Sequence, residues 1–178
     1  GPVDNVSEFF KDTTAKQYVK DYLRYCVSRW GYSTNLMAWE LWNEIDAPEI
    51  CWKEGENYHS NQVNVAEWHQ EMGQYMKELD PNKHLVTTSF ASSDLGDAIW
   101  KLEEIDITTF HRYTMYNNSV EGLYESHRAL YNIINSRLQM YNKPVIGGEF
   151  ALSPGGDIQR ENDLEGIAFH NQVWSSIF

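Results

Sequence analysis

An α/β fold on parallel strands is what this 178-residue sequence predicts, and three observations predict it. Apolar residues switch repeatedly between a three-to-four spacing and short continuous runs, the signatures of amphipathic helices and of strands buried on both faces. The two kinds of segment alternate along the chain, which implies parallel strands joined by right-handed crossovers. With 42% apolar residues in 20.8 kDa, the chain can bury a core as a single domain without disulfides or metal.

Ser7 is expected to cap the first helix, with Glu8 in its opening turn, and Ala15, Val19, Tyr22, Leu23, Cys26, Val27 and Trp30 form an apolar stripe that Gly31 ends. Residues 37–42, Met-Ala-Trp-Glu-Leu-Trp, read as a strand buried on both faces. A long polar stretch over 43–60 with Pro48 and Gly55 precedes a second helical stripe through Val65, Trp68, Met72, Tyr75, Met76 and Leu79, closed by Asp80-Pro81-Asn82. Strands over 84–89 and 106–111 flank a short helix near 97–102. A helix over 122–141, a strand over 144–149, a Gly-rich loop and a last helix from about residue 161 complete the rhythm. Trp30, Trp68 and Trp174 lie at apolar helical spacing and are expected in the core.

Fourteen basic against 26 acidic side chains leave a formal charge of −12 and a sequence pI near 4.8. That balance argues against nucleic acid and anionic membranes as partners and favours a neutral or cationic ligand. No stretch approaches the roughly 20 apolar residues that span a bilayer. The chain opens Gly-Pro-Val-Asp, without Met, so an upstream portion is expected. Two cysteines make no disulfide framework; Cys26 reads as helical and Cys51 as loop, and the redox compartment stays open. No HExxH, CxxC or acidic Ca²⁺ loop occurs, so neither metal nor cofactor is expected. Seven Trp, where general usage gives about two or three, suit either sugar-stacking surfaces or a large core.

Pattern leaves open a doubly wound sheet or part of a closed barrel. In a barrel, reactive residues sit at the carboxyl ends of strands; here those positions read Asn43-Glu44, Ser89, His111-Arg112-Tyr113 and Glu149. Two strand-end carboxylates point to glycoside cleavage. That chemistry needs one carboxylic acid to protonate the leaving oxygen and one carboxylate to attack the anomeric carbon, held about 5 to 5.5 Å apart in retaining enzymes. Trp39 and Trp42 beside Glu44, and Tyr113 near Glu149, are candidates for making the two environments unlike. Trp52, in the loop after Glu44, is a candidate sugar platform.

Trp39-Glu-Leu-Trp-Asn-Glu44, His111-Arg-Tyr113 and Gly147-Gly-Glu-Phe150 resemble the strand-four, strand-six and strand-seven signatures of clan A glycoside hydrolases, especially family 5-like cellulases and β-mannanases. Leu23-Arg-Tyr-Cys-Val-Ser-Arg-Trp-Gly-Tyr-Ser33 resembles the third helix and exit turn of that group. The resemblance implies a partial (β/α)8 TIM barrel, about strands 4–7 with helices 3–7, as one catalytic domain over 1–178. It further implies a retaining hydrolase of β-1,4-linked glucan or mannan, with Glu44 as acid/base, Glu149 as nucleophile and Asn43 bonding the sugar 2-hydroxyl. His111 and Tyr113 would line the cleft, the tyrosine hydroxyl orienting Glu149. Glu40 shares the strand parity of Glu44 and is given a structural, hydrogen-bonded role.

A complete barrel takes about 250 residues, so strands one to three and eight, with the arginine, histidine and tryptophan they carry in the family, are expected outside this chain. Open edges would then favour self-association. A polymeric glycan substrate implies secretion or a periplasmic location. A non-catalytic sugar-binding barrel and a structural module are the alternatives from other classes; a Schiff-base enzyme is disfavoured because no strand ends in Lys.

Overall fold

The computed structural model describes residues 1–47, 54–92, 94–113, 121–151 and 163–176, the side chains of 121–126 excepted. Among these residues the order is α1 (Val6–Phe9), α2 (Thr13–Trp30), β1 (Ala38–Glu40), α3 (Tyr58–Leu79), β2 (Leu85–Thr87), β3 (Ser89–Phe90), α4 (Asp97–Trp100), β4 (Thr108–Tyr113), α5 (Glu121–Tyr141), β5 (Val145–Ala151) and α6 (Ile167–Ser175). Every strand pair is parallel: β1 with β2, β3 with β4, and β4 with β5. The α/β class with parallel strands is therefore what the chain adopts.

The strand expected over 84–89 is split at Thr88. Its first half pairs with β1 and its second with β4, so two sheets meet at one residue. Single main-chain bonds carry the pairing across the break: Leu41 N–H donates to Thr87 O (2.9 Å), Ser89 N–H to Trp42 O (3.0 Å) and Asp106 N–H to Val86 O (2.8 Å).

Helix ends follow side-chain chemistry. The first helical stretch is two helices, capped by Asn5, whose Oδ1 accepts Glu8 N–H, and by Asp12, whose Oδ1 accepts Ala15 N–H. Ser7 is thus not the cap; it is buried and donates its hydroxyl to Asn5. Asn57 and Ser60 form a capping box on α3. Gly31 closes α2 with its N–H on Val27 O, so close that a Cβ there would meet that oxygen at 2.7 Å.

Strand alternation separates two faces. Val86, Thr88, Phe90 and Phe110 face the helices, where Trp68, Met72 and Met76 of α3, Ile99 and Trp100 of α4 and Leu130 of α5 complete a closed core. Trp68 is core as expected, but Trp30 (47% exposed) and Trp174 (51%) are not. Their positions follow helical spacing, yet each stays about half exposed. β1 is likewise only part-buried, because among the described strands only its β2 side is paired. Glu40 is exposed, and the bond expected of it has no partner among the described residues. The opposite face carries a polar ladder, Thr87, Ser89, Thr109 and His111, all buried, with the Thr87 and Thr109 hydroxyls 2.7 Å apart.

Candidate active site

The chain leaves β1 through Trp42, whose ring packs against Phe9, Phe10 and Trp68 at 5.3 to 5.9 Å between centroids. That anchors the turn that follows, in which Glu44 has φ +50°, a left-handed conformation costly for any residue with a Cβ. Ser89 holds the turn: its Oγ accepts Glu44 N–H (3.0 Å), and its carbonyl accepts Ile45 N–H (3.1 Å). Asp46 then accepts Ala91 N–H (2.7 Å) and Ser92 N–H (2.8 Å), tying the loop after β3 to the loop after β1. Burial raises the Asp46 carboxyl above its ordinary range, opposed by those two bonds.

His111, 2% exposed on β4, presents Nδ1 at 2.7 Å from Glu44 Oε1 and 3.6 Å from Glu149 Oε2. A carboxylate oxygen only accepts, so Nδ1 carries the proton toward Glu44. The β4 and β5 registers shift between Phe110 and His111, so that Phe110 pairs with Gly147 and His111 with Glu149, leaving Gly148 as the extra residue of a bulge. The bulge places Glu149 on the face of His111 although sequence parity groups it with Val145 and Gly147. Gly148 also makes room for the imidazole: a Cβ there would meet His111 Nε2 and Thr109 Cγ2, each at 3.1 Å.

Tyr113, two residues beyond His111, donates its hydroxyl to Glu149 Oε2 at 2.5 Å. That bond first, then burial and the nearby Glu149 and Glu44 charges, push the phenol up to about 12. The carboxylates differ in setting: Glu44 is 27% exposed and held by an imidazole, Glu149 is 47% exposed and held by a phenol. Oxygen or nitrogen atoms of Glu44, His111 and Glu149 all lie within 4.8 Å of one another. Such a set could ligate a cation or perform two-carboxylate acid/base chemistry. Its donors are already matched in pairs, His111 to Glu44 and Tyr113 to Glu149.

Four of the six residues singled out in the sequence converge: Glu44, His111, Tyr113 and Glu149. Asn43 is exposed at the rim, its Oδ1 3.4 Å from Ser89 Oγ. Trp52 and Cys51 lie outside the described residues. Trp39 and Trp42 do not furnish the surroundings expected of them: Trp39 donates its indole N–H to Asp80 Oδ2 (2.9 Å), and Trp42 packs toward α1 and α3. The clamp by Ser89 was hinted at by a polar residue at a strand end, whereas the Asp46 tie gave no local signal.

A sequence model of the family described as cellulase (glycosyl hydrolase family 5) matches residues 6–174. The chain is 30% identical to mannan endo-1,4-beta-mannosidase A of Hypocrea jecorina over 61% of this chain and 26% of that protein. It is 27% identical to mannan endo-1,4-beta-mannosidase 1 of Solanum lycopersicum over 89% of this chain and 45% of that protein. It therefore spans between about a quarter and under half the length of these relatives. Among solved structures, the endo-1,4-beta-mannanase of Rhizomucor miehei superposes with a TM-score of 0.71 at 20% identity, over 96% of this chain and 53% of that one. The beta-glucuronidase of Bifidobacterium dentium gives 0.63 at 16%, over 92% and 26%. At these identities the structural likeness speaks for the fold.

Proposed function

The chain belongs to glycosyl hydrolase family 5, and on that premise we propose that it is the central part, about strands 4–7, of a (β/α)8 barrel whose catalytic domain cleaves β-1,4-linked glycans with retention. Mannan is the first substrate to test, since both curated relatives are named for it; glucan is the second. The observation that carries the proposal is the meeting of Glu44 and Glu149 at His111, with their facing atoms within 4.8 Å, near the spacing a retaining pair needs.

In this mechanism Glu149 attacks the anomeric carbon while Glu44 gives its proton to the leaving oxygen, so the glycosidic bond breaks as a glycosyl–Glu149 ester forms. Glu44, now ionised, takes a proton from water, whose oxygen attacks the same carbon and expels Glu149. The Tyr113 hydroxyl bonds the ionised form of Glu149 and aims the oxygen that attacks. His111, buried and protonated on Nδ1, holds Glu44 where it can serve both steps. Asn43, exposed beside Ser89, is the proposed partner of the sugar 2-hydroxyl, and Trp52 is the proposed stacking platform. A polymeric glycan partner fits a secreted or periplasmic enzyme, and no helix among the described residues is long and apolar enough to cross a membrane.

The test is the stereochemistry of hydrolysis, followed by NMR, in the full-length enzyme acting on β-1,4-mannooligosaccharides, with Glu149→Gly alongside. Retention, loss of turnover in the variant and partial rescue by azide are expected. Inversion, or turnover indifferent to residue 149, overturns the assignment.

A further inference from the structure

Helix α3 carries a histidine that the chemistry above does not use. His69 is fully buried, beside Val65, Trp68 and Met72 of its own helix, with its ring 4.9 Å from the Trp68 ring. A polar ring in such a place costs free energy unless both nitrogens are matched. Nδ1 lies 2.8 Å from Val65 O and Nε2 lies 3.1 Å from Thr88 Oγ1. Thr88 is itself fully buried, at the joint between β2 and β3, and its Oγ1 is also 2.9 Å from Trp42 O. Trp42 is the residue that leads into the Asn43-Glu44 turn.

We propose that His69 is a positioning residue for Glu44, acting through the Thr88 hydroxyl on the main chain of Trp42. The hydrogen bookkeeping supports this. Val65 O only accepts, so Nδ1 carries the ring hydrogen and Nε2 is bare in the neutral ring; burial favours that neutral form, pushing the imidazole down to about 4. The single hydroxyl hydrogen of Thr88 serves only one of its two acceptors at a time, His69 Nε2 or Trp42 O, so the ring governs how firmly that hydroxyl holds the carbonyl. Trp42 O also receives Ser89 N–H at 3.0 Å, the residue that clamps Glu44. The place of that carbonyl, and with it the turn carrying Glu44, is thus set from a helix behind the sheet.

The inference rests on the proposed role of Glu44, and the test separates the two. In the full-length enzyme, Thr88→Val keeps the side-chain shape and removes the hydroxyl; Thr88→Ser restores it; His69→Leu removes the far end. With β-1,4-mannooligosaccharide, kcat is expected to fall about threefold to tenfold in Thr88→Val, the effect of one net hydrogen bond. KM should stay within about twofold and Thr88→Ser should regain most of the loss. Because His69 acts through that hydroxyl, the double variant should be no slower than Thr88→Val, and a further loss on adding His69→Leu overturns the inference. A folded Thr88→Val with unchanged kcat overturns the inference. The Nδ1–H resonance of His111 reads its bond to Glu44 without any turnover. A shift in Thr88→Val supports positioning even if mannan and glucan are not hydrolysed, in which case only the functional proposal falls. An unmoved resonance overturns the positioning role.

Discussion

Replacing Glu44 by glycine and by alanine measures the strain stored in the turn. Both substitutions remove the carboxylate and leave His111 Nδ1 without its 2.7 Å partner, so that loss cancels between them. What remains is the backbone at φ +50°. A Cβ in the left-handed region costs about 1 to 2 kcal/mol, and glycine gives back about 0.4 to 1 kcal/mol through its larger unfolded-state entropy. Glycine should therefore be the more stable variant by about 0.5 to 1 kcal/mol, the reverse of the usual order. For a chain of this length that is roughly 1 to 4 °C in Tm. Paired urea titrations followed by far-UV circular dichroism, with thermal melts at the same pH, give the difference directly. An alanine variant as stable as the glycine variant would refute the claim that Ser89 and its neighbours hold Glu44 against its own preference.

Ser89→Ala takes the acceptor from Glu44 N–H and should destabilise the chain by about 1 to 3 kcal/mol, read by the same titrations, with turnover falling as well; unchanged values on both would dismiss the clamp. Tyr113→Phe should lower kcat and modestly destabilise the chain below pH 10, and in spectrophotometric titration the variant should show one fewer phenol ionising near 12 than the native chain, in which Tyr58 and Tyr141 are raised as well. Since the folded value lies above the ordinary 10, the contribution of that bond to stability is complete below pH 10 and is lost as pH rises toward 12. Exhaustive chelation should leave turnover unchanged, because His111 and Tyr113 already satisfy the two carboxylates; loss of turnover restored by a divalent cation would place Glu44, His111 and Glu149 around a metal instead.

Periodicity makes α2 and α3 legible in the sequence, because their apolar stripes are long enough to distinguish a helix from a strand. Glu44, His111 and Glu149 were legible as polar residues closing short apolar runs, although Glu44 lies beyond the end of β1 and His111 and Glu149 lie inside β4 and β5, which run on to Tyr113 and Ala151. The split at Thr88 was not, since Leu-Val-Thr-Thr-Ser-Phe runs on without interruption and only its neighbours decide where pairing changes sides. Caps were misread locally because Asn5, Ser7 and Asp12 are all good capping residues within eight positions, and the break after Phe9 selects two of them. Trp30 and Trp174 illustrate the limit of helical spacing, which identifies a stripe but not what lies against it. The left-handed turn at Glu44 belongs to the same class, for no residue type there announces it.

The extra residue at Gly148 also bears on how this strand could vary among relatives. Glu149 is matched to His111 by pairing at the far end of β5, and Gly148 stands between that pair and the regular ladder formed by Val145, Ile146 and Gly147. A relative one residue shorter at this point would keep the same pairs on either side of the gap, whereas one with a side chain at 148 would have to displace the His111 ring. Side-chain volume at 148 and the seat of the His111 ring are therefore one constraint, read from two strands.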